Sequence, residues 1–358
     1  MNTLPPRRFG SVDALRGCTV AAMLLVNDPG DWAHVYAPLE HSAWHGCTPT
    51  DLVFPFFLFI VGVSVALALE PRREQGADRG VLMRAACWRG LRILGLGVLI
   101  NLVAWWLLPD VHLRLPGVLQ RIGLCYAGVA WFALYTRLRT AWIAAALLLL
   151  GYAVWLRLGG SLEPWTNITS RTDSALFGRF VYQIDPLSGR GHDPEGLPGL
   201  LPSLAGTLLG LCAGRWLRAG QWRALLLGGV LSLAAGALWS CWLPLNKNLW
   251  TPSFVLWCTG WAALVLLAFH GLIEHRGWPA IGRRFGVNAI AAYAGSELMQ
   301  ILLPALGWQA PLYRGLFAGR ITPLAGPYVA SLAYALVFVA MWWLIVWALD
   351  RRRCYLKL

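Results

Sequence analysis

The sequence predicts an all-α polytopic membrane protein of about ten transmembrane helices, or eleven, with both termini in the cytoplasm. Three observations carry this expectation. Only 13% of the residues are charged while 58% are apolar, against about a quarter charged in an ordinary soluble domain. The apolar residues gather into runs close to the roughly 20 residues that a spanning helix needs. Tryptophan, enriched where membrane meets water, occurs 21 times. A length of 358 residues would accommodate two soluble domains, but the spacing of the runs predicts one transmembrane domain over 1–358.

Ten runs qualify: 12–26, 52–69, 85–107, 118–135, 141–158, 200–216, 224–243, 249–270, 287–306 and 329–349. The first follows Arg7 and Arg8 and has the outline of a signal peptide. No small-residue cleavage pattern closes it and Asn27-Asp28-Pro29-Gly30 follows, so it reads as a retained helix. It is short and contains Arg16; the ninth run carries Asn288 and Glu297. These two are the least regular.

Basic residues accumulate in cytoplasmic loops. With the N-terminus inside, the loops alternate so that Arg7, Arg8 and Arg16 precede or enter the first run. Arg72, Arg73, Arg79, Arg84, Arg89 and Arg92 follow the second, and Arg137 and Arg139 follow the fourth. Arg215, Arg218 and Arg223 follow the sixth, Arg276, Arg283 and Arg284 the eighth, and Arg351, Arg352, Arg353 and Lys357 the tenth. Together these are 21 of the 30 Lys and Arg. The net charge of +13 is thereby explained as orientation, and no basic face with interleaved aromatics predicts nucleic-acid binding. Two outer segments are long: 27–51, and 159–199, which is rich in Gly, Pro and polar residues and reads as a lid or a solvated connector. The eight cysteines form no CxxC pair, and Cys18, Cys125, Cys212 and Cys258 lie in apolar runs as small hydrophobes.

Polar groups in a membrane domain are costly and mark candidate sites. The densest run is His41-Ser42-Ala43-Trp44-His45-Gly46-Cys47-Thr48-Pro49-Thr50-Asp51. Histidine suits general-base work. Asp51 stands where a side chain can cap the second helix, or it can serve the chemistry beside His41. His41 and His45 are four apart, but Gly46 and Pro49 disfavour a helix there and no HExxH glutamate is present, so no metal is expected. Asp13 and Arg16 have i,i+3 spacing for an ion pair, and Arg16 can instead anchor an anion. Gln120-Arg121 is a second polar pair. His192-Asp193-Pro194-Glu195-Gly196 and Asn246-Lys247-Asn248-Leu249-Trp250 supply carboxylates, amides and an aromatic that suit a sugar, or ordinary turns. Tyr293 and Glu297 are four apart and can face one cavity.

Ser11-Val12-Asp13-Ala14-Leu15-Arg16-Gly17, Asn27, His41-Ser42-Ala43-Trp44 and Asp51-Leu52-Val53-Phe54-Pro55 resemble the start of the heparan-α-glucosaminide N-acetyltransferase family. Gly117-Val118-Leu119-Gln120-Arg121-Ile122-Gly123, Asp193-Pro194-Glu195-Gly196, Asn246-Lys247-Asn248-Leu249-Trp250 and Asn288-Ala289-Ile290 match later landmarks in the same order. The resemblance covers nearly the whole chain and is nearest to short bacterial members. It implies a transfer of acetyl from cytoplasmic acetyl-CoA to an amino sugar such as glucosamine on the other side of the inner membrane, in a homodimer embedded in lipid, with no metal.

On that resemblance His41 is the catalytic histidine, with Asn27 and Asp51 in the catalytic set. Arg16, Gln120, Arg121 and Asn288 are expected to bind the co-substrate. Trp44, His45, Asp193, Glu195, Asn246, Lys247, Asn248, Trp250 and Glu297 are expected to bind the acceptor. His45 stands where the lysosomal members carry Asn. His41 can deprotonate the amine directly or accept the acetyl group itself, and Asn27 can donate to the developing oxyanion. The competing expectation is a transporter of N-acetylglucosamine or a related sugar. Intramembrane polar groups suit it, but the sequence has no paired inverted halves with broken helices.

Overall fold

The computed structural model describes residues 9–356; Arg7, Arg8 and Lys357, used above for orientation, lie outside them. The helices in chain order are α1 (Gly10–Asn27), α2 (Val53–Glu74), α3 (Arg79–Leu107), α4 (Val118–Tyr135), α5 (Leu138–Leu158), α6 (Ile168–Phe177) and α7 (Leu200–Arg218). They continue with α8 (Trp222–Ser240), α9 (Pro252–His270), α10 (Arg283–Val287), α11 (Ala289–Ala305), α12 (Gln309–Tyr313), α13 (Gly319–Ala325) and α14 (Pro327–Arg351). Each of the ten apolar runs falls on one long helix. Among the described residues, eight of these are long and apolar enough to cross a membrane, or nine if the bent pair that starts with α11 is one span. The chain is a multi-pass, all-α membrane protein.

Local chemistry explains where the boundaries differ from the apolar runs. α3 starts six residues before its run because the Asp78 side chain accepts from the Val81 amide, an N-cap that recruits the polar turn behind it. α9 starts at Pro252 rather than at 249, with proline in the first turn, where its missing N–H costs nothing. The segment 159–199 is structured: α6 is capped by Asn167, which accepts from the Ser170 amide, and β1 (Gln183–Ile184) pairs antiparallel with β2 (Gly191–His192). The short helices α6, α10, α12 and α13 carry no long apolar run and were not expected. After α11 the chain turns by 96° into the stretch containing α12 and α13.

α2 and α7 form the centre of the bundle. In their spanning windows 61% and 67% of residues are buried, against 22% in α3 and in α8, whose Trp88, Leu99, Leu227 and Leu231 are exposed. Outward leucine and tryptophan suit contact with lipid. α2 and α7 touch backbone to backbone: a Cβ on Gly62 would lie 2.0 Å from the Thr207 carbonyl oxygen, and one on Gly210 would lie 2.1 Å from that of Phe59. Small residues permit this approach, and packing of this kind holds helices together where lipid removes the hydrophobic drive. α1 is fixed at both ends. The Ser11 amide donates to Glu274 at 3.0 Å, and the Asp31 amide donates to Ser331 at 3.0 Å at the start of α14.

Gly210→Val forces α2 and α7 apart and should destabilise the protein by about 1–3 kcal/mol or more. Gly151→Val, on an exposed stretch of α5 where a Cβ meets nothing within 4 Å, should leave it unchanged. Melting temperatures of the two variants in detergent check this.

Candidate active site

Two connecting segments meet at one end of the bundle. The first, 28–52, carries His41; the second, 241–251, carries Lys247. The Gly46 amide joins them by donating to the Leu245 carbonyl at 2.7 Å. The second is a turn built on Asn246: its side-chain oxygen accepts from the Leu249 amide at 2.8 Å, and its carbonyl accepts from Thr251. Asn closes turns in this way because its short carboxamide imitates the backbone. Trp250 has a φ of 50°, rare for a residue with a Cβ. Burial enforces it. The ring is 2% exposed, wedged edge-on against Phe54 and Phe254, with the Arg121 guanidinium 4.9 Å above it.

That turn delivers Lys247 to His41. The Lys247 ammonium is 3.1 Å from His41 Nδ1 and 3.0 Å from Nε2. His41 Nδ1 is 2.7 Å from Asp51 Oδ1, and Lys247 is 3.9 Å from the same oxygen. The Asp51 side chain has no exposed surface. Its other oxygen accepts from the amides of Ser42 at 3.1 Å and Thr48 at 2.9 Å. A carboxylate so supplied can only accept from His41, so the ring carries its proton on Nδ1 and offers the Nε2 lone pair. Equidistance from both nitrogens puts the Lys247 ammonium off the Nε2 lone-pair direction. The His41 side chain is 47% exposed and therefore reachable. The reading of Asp51 as a cap of α2 is corrected: α2 has no side-chain cap, and Asp51 organises the loop in front of it.

Around this triad lies a charge network. Arg114 donates from Nε to Asp193 at 2.9 Å and from Nη2 at 2.6 Å, and also to Glu195. Burial works against the charge of Glu195, but Arg114, Arg121 and Lys247 hold its carboxyl below the ordinary range. Burial lowers the Lys247 ammonium, opposed by Glu195 and Asp51. Arg121 donates to the Gly196 carbonyl at 2.8 Å. The side chains of Asn27 and Tyr293 lie next to the Glu297 carboxyl, with the charges of Arg114 and Glu195 near by. The segment 159–199 packs beside the triad through Trp44: its Nε1 donates to the Leu162 carbonyl at 3.0 Å, and its ring meets that of His192 at 5.3 Å.

A profile of the heparan-alpha-glucosaminide N-acetyltransferase catalytic region matches residues 8–230. The chain belongs to that family. It is similar to the human heparan-alpha-glucosaminide N-acetyltransferase, 26% identical over 422 aligned residues that take in 100% of this chain and 61% of the human protein. The mouse protein of the same name is 25% identical over 98% of the chain and 60% of its own length. The chain thus spans about 61% of the length of the curated relatives it matches. The profile takes in His41, Asp51 and Glu195; Lys247 and α11 lie beyond it.

Within this family member the expected residues divide by position. His41, Asp51 and Lys247 come together. His45 Nδ1 is 3.2 Å from the Asn246 amide nitrogen, which places His45 and Asn246 beside them. Asn248 is partly exposed on the same turn. Trp250 and Asp193 are buried, so neither presents a surface to a sugar: one is the anchor of the Lys247 turn and the other the partner of Arg114. Asn27 belongs with Glu297. Arg16 bonds Asp13 at 3.0 Å, the Gly286 carbonyl at 3.2 Å and the Ser64 hydroxyl at 2.6 Å.

Arg16 also lines a cavity of about 290 Å³ bounded by α1, α2, α3, α4 and α11. On α2 the lining runs from Phe57 to Ala68, a rise of about 16 Å, and Arg89 and Tyr293 join it. Gln120 and Arg121 do not line it; Gln120 donates to the Leu115 carbonyl and fills the space left by Gly97. Asn288 is 1% exposed, lies between the lining residues Val287 and Ala289, and neither atom of its carboxamide has a partner among the described residues. Sequence reasoning missed Arg114. The signal was available: it is a cation on the acid-rich side, against the loop-charge rule.

In the segment 159–199, burial pushes the Asp173 carboxyl up to about 7, against the Leu197 amide that donates to it, and pushes the His192 imidazole down to about 4. Raised in the fold, Asp173 favours folding below pH 4 and loses that contribution as pH climbs through 7. Depressed in the fold, His192 does the reverse between about pH 4 and the ordinary 6.5. The two slopes oppose each other. Asp173→Asn should therefore leave a protein whose melting temperature, relative to the parent, rises from pH 4 to pH 7. A constant difference across that range would contradict the assignment.

Proposed function

We propose that the protein is a transmembrane N-acetyltransferase that moves acetyl from acetyl-CoA, supplied from the cytoplasm, to the amino group of glucosamine or a related amino sugar on the periplasmic side of a bacterial inner membrane. The observation that carries this reading is the His41–Asp51–Lys247 triad, with Nε2 of an exposed histidine left as the free base, in a chain that belongs to this family. The bias of Lys and Arg toward the loops at the other end supports a periplasmic position for His41.

The 290 Å³ cavity supports a route for the acyl donor. Its wall is largely apolar, suiting a pantetheine arm, and Arg16, Arg89 and the Asn288 carboxamide, which has no partner among the described residues, are polar groups toward which the donor's nucleotide end is directed. Phe57, the lining residue of α2 nearest the triad, is six residues from Asp51, or about 9 Å along the helix. The arm must cover that gap to bring a thioester to His41.

His41 Nε2 takes the proton of the acceptor amine as its nitrogen attacks the thioester carbonyl carbon. The C–N bond forms, the C–S bond breaks, and the proton passes to the leaving thiolate. Asp51 holds the ring in the required tautomer and stabilises the imidazolium. Lys247, 3.0 Å from Nε2 and 3.9 Å from Asp51, ties the ring to the carboxylate from the far side of the turn. Asn27, beside Glu297, is the N–H donor assigned to the developing oxyanion. In the alternative course Nε2 itself attacks the carbonyl and carries the acetyl group to the sugar.

Purified protein in liposomes with acetyl-CoA and glucosamine should form N-acetylglucosamine, and His41→Ala should lower the rate by about 100-fold or more. Sugar flux without consumption of acetyl-CoA would overturn the proposal in favour of a transporter. Labelled acetyl-CoA without acceptor separates the two courses: label retained on His41 indicates an acetyl carrier, and its absence indicates direct transfer.

A further inference from the structure

A second cavity, of about 720 Å³, lies at the opposite end of the bundle from His41, where α2, α4 and α7 end and α3 and α5 begin. Arg73, Arg79, Arg137, Arg215 and Arg218 line it together with Glu70 and Glu74, an excess of three positive charges. It does not connect with the triad: the space between α2, α4 and α7 above it is filled by Leu58, Val65, Leu134, Leu208 and Cys212, all buried.

The lining cations exceed the acceptors around them. Arg215 Nε donates to Glu70 at 2.5 Å, and its Nη2 reaches the Thr136 carbonyl at 3.2 Å. Its Nη1 is buried with no partner among the described residues. Arg73 covers the Ala133 carbonyl at 2.6 Å, and Arg218 pairs with Glu74. The free carbonyls at the end of α4 are thus already served. Arg79 and Arg137 stand exposed at the rim. The 21-residue α5 starts here at Leu138, behind Arg137, with no side-chain cap, so its first amides face the same space, and an uncapped helix N-terminus attracts anions.

We propose that this cavity binds a phosphate-bearing anion, and specifically the phosphodiester headgroup of an anionic bilayer lipid. The guanidinium groups and the α5 amides supply the donors that phosphate oxygens accept. The mouth carries Tyr135, 43% exposed, with Trp131, 47% exposed, 6.0 Å from it. Outward aromatics of this kind mark headgroup depth. Basic pockets between helices at that depth suit anionic headgroups.

The test uses the full chain in detergent with the double variant Arg79→Gln/Arg137→Gln, which removes rim charges that make no ion pair among the described residues. Short-chain phosphatidylglycerol should raise the melting temperature of the parent protein while phosphatidylcholine does not. The variant should need roughly 30-fold more phosphatidylglycerol for the same response, and native mass spectrometry should show it retaining less of that lipid. Inorganic phosphate is titrated in parallel. A shift that phosphate alone produces, and that the variant loses, supports the same site with a soluble anion as its source. The control Arg352→Gln/Arg353→Gln removes two other arginines outside this cavity and should behave as the parent. A variant that responds to both probes like the parent, or a control that loses as much as the variant, overturns the proposal.

Discussion

The Asp51 carboxylate has no exposed surface, and one end of the protein is arranged around it. A buried carboxylate left alone costs several kcal/mol, so it must be supplied with donors and a counter-charge. The amides of Ser42 and Thr48 come from the loop before α2, the imidazole of His41 from further back in that loop, and the ammonium of Lys247 from about two hundred residues later. Satisfying one anion therefore fixes the loop conformation, the histidine tautomer and the docking of the α8–α9 turn together.

The same requirement propagates. Lys247 is shared between Asp51 and Glu195, Glu195 between Lys247 and Arg114, and Arg114 between Glu195 and Asp193. Lys247, Glu195 and Arg114 are each offset by two oppositely charged neighbours. Such networks hold their geometry because no member can leave without stranding another. This rigidity suits a group that must aim one lone pair.

Much of this was legible in the sequence, for physical reasons that vary by element. Apolar runs located the ten long helices, of which eight or nine are long and apolar enough to cross a membrane, and α4 matched its run to the residue. Composition could not tell centre from rim: α7 and α8 are similarly apolar, yet 67% of one window and 22% of the other are buried. That difference comes from glycine contacts between helices distant in sequence. In the site, His41 and Asp51 were legible as neighbours in one polar run. Lys247 was legible as a landmark but not as the partner of His41, because the turn that aims it is set by where the Trp250 ring is buried. Arg114 departs from the loop-charge rule, but its role becomes readable only beside Asp193 and Glu195. The polar segment 159–199 hid a capped helix because a ten-residue amphipathic piece leaves no apolar run.

α2 is one continuous helix of 22 residues, about 33 Å long, close to the thickness of a bilayer core. It starts two residues beyond the Asp51 carboxylate and ends among the arginines of the second cavity. The two polar layers are thereby tied to opposite ends of a strut at the centre of the bundle. A thinner or thicker bilayer cannot change their separation and must be met by tilt or by deformation of the lipid. The length of this one helix thus sets the distance between the protein's two charged ends.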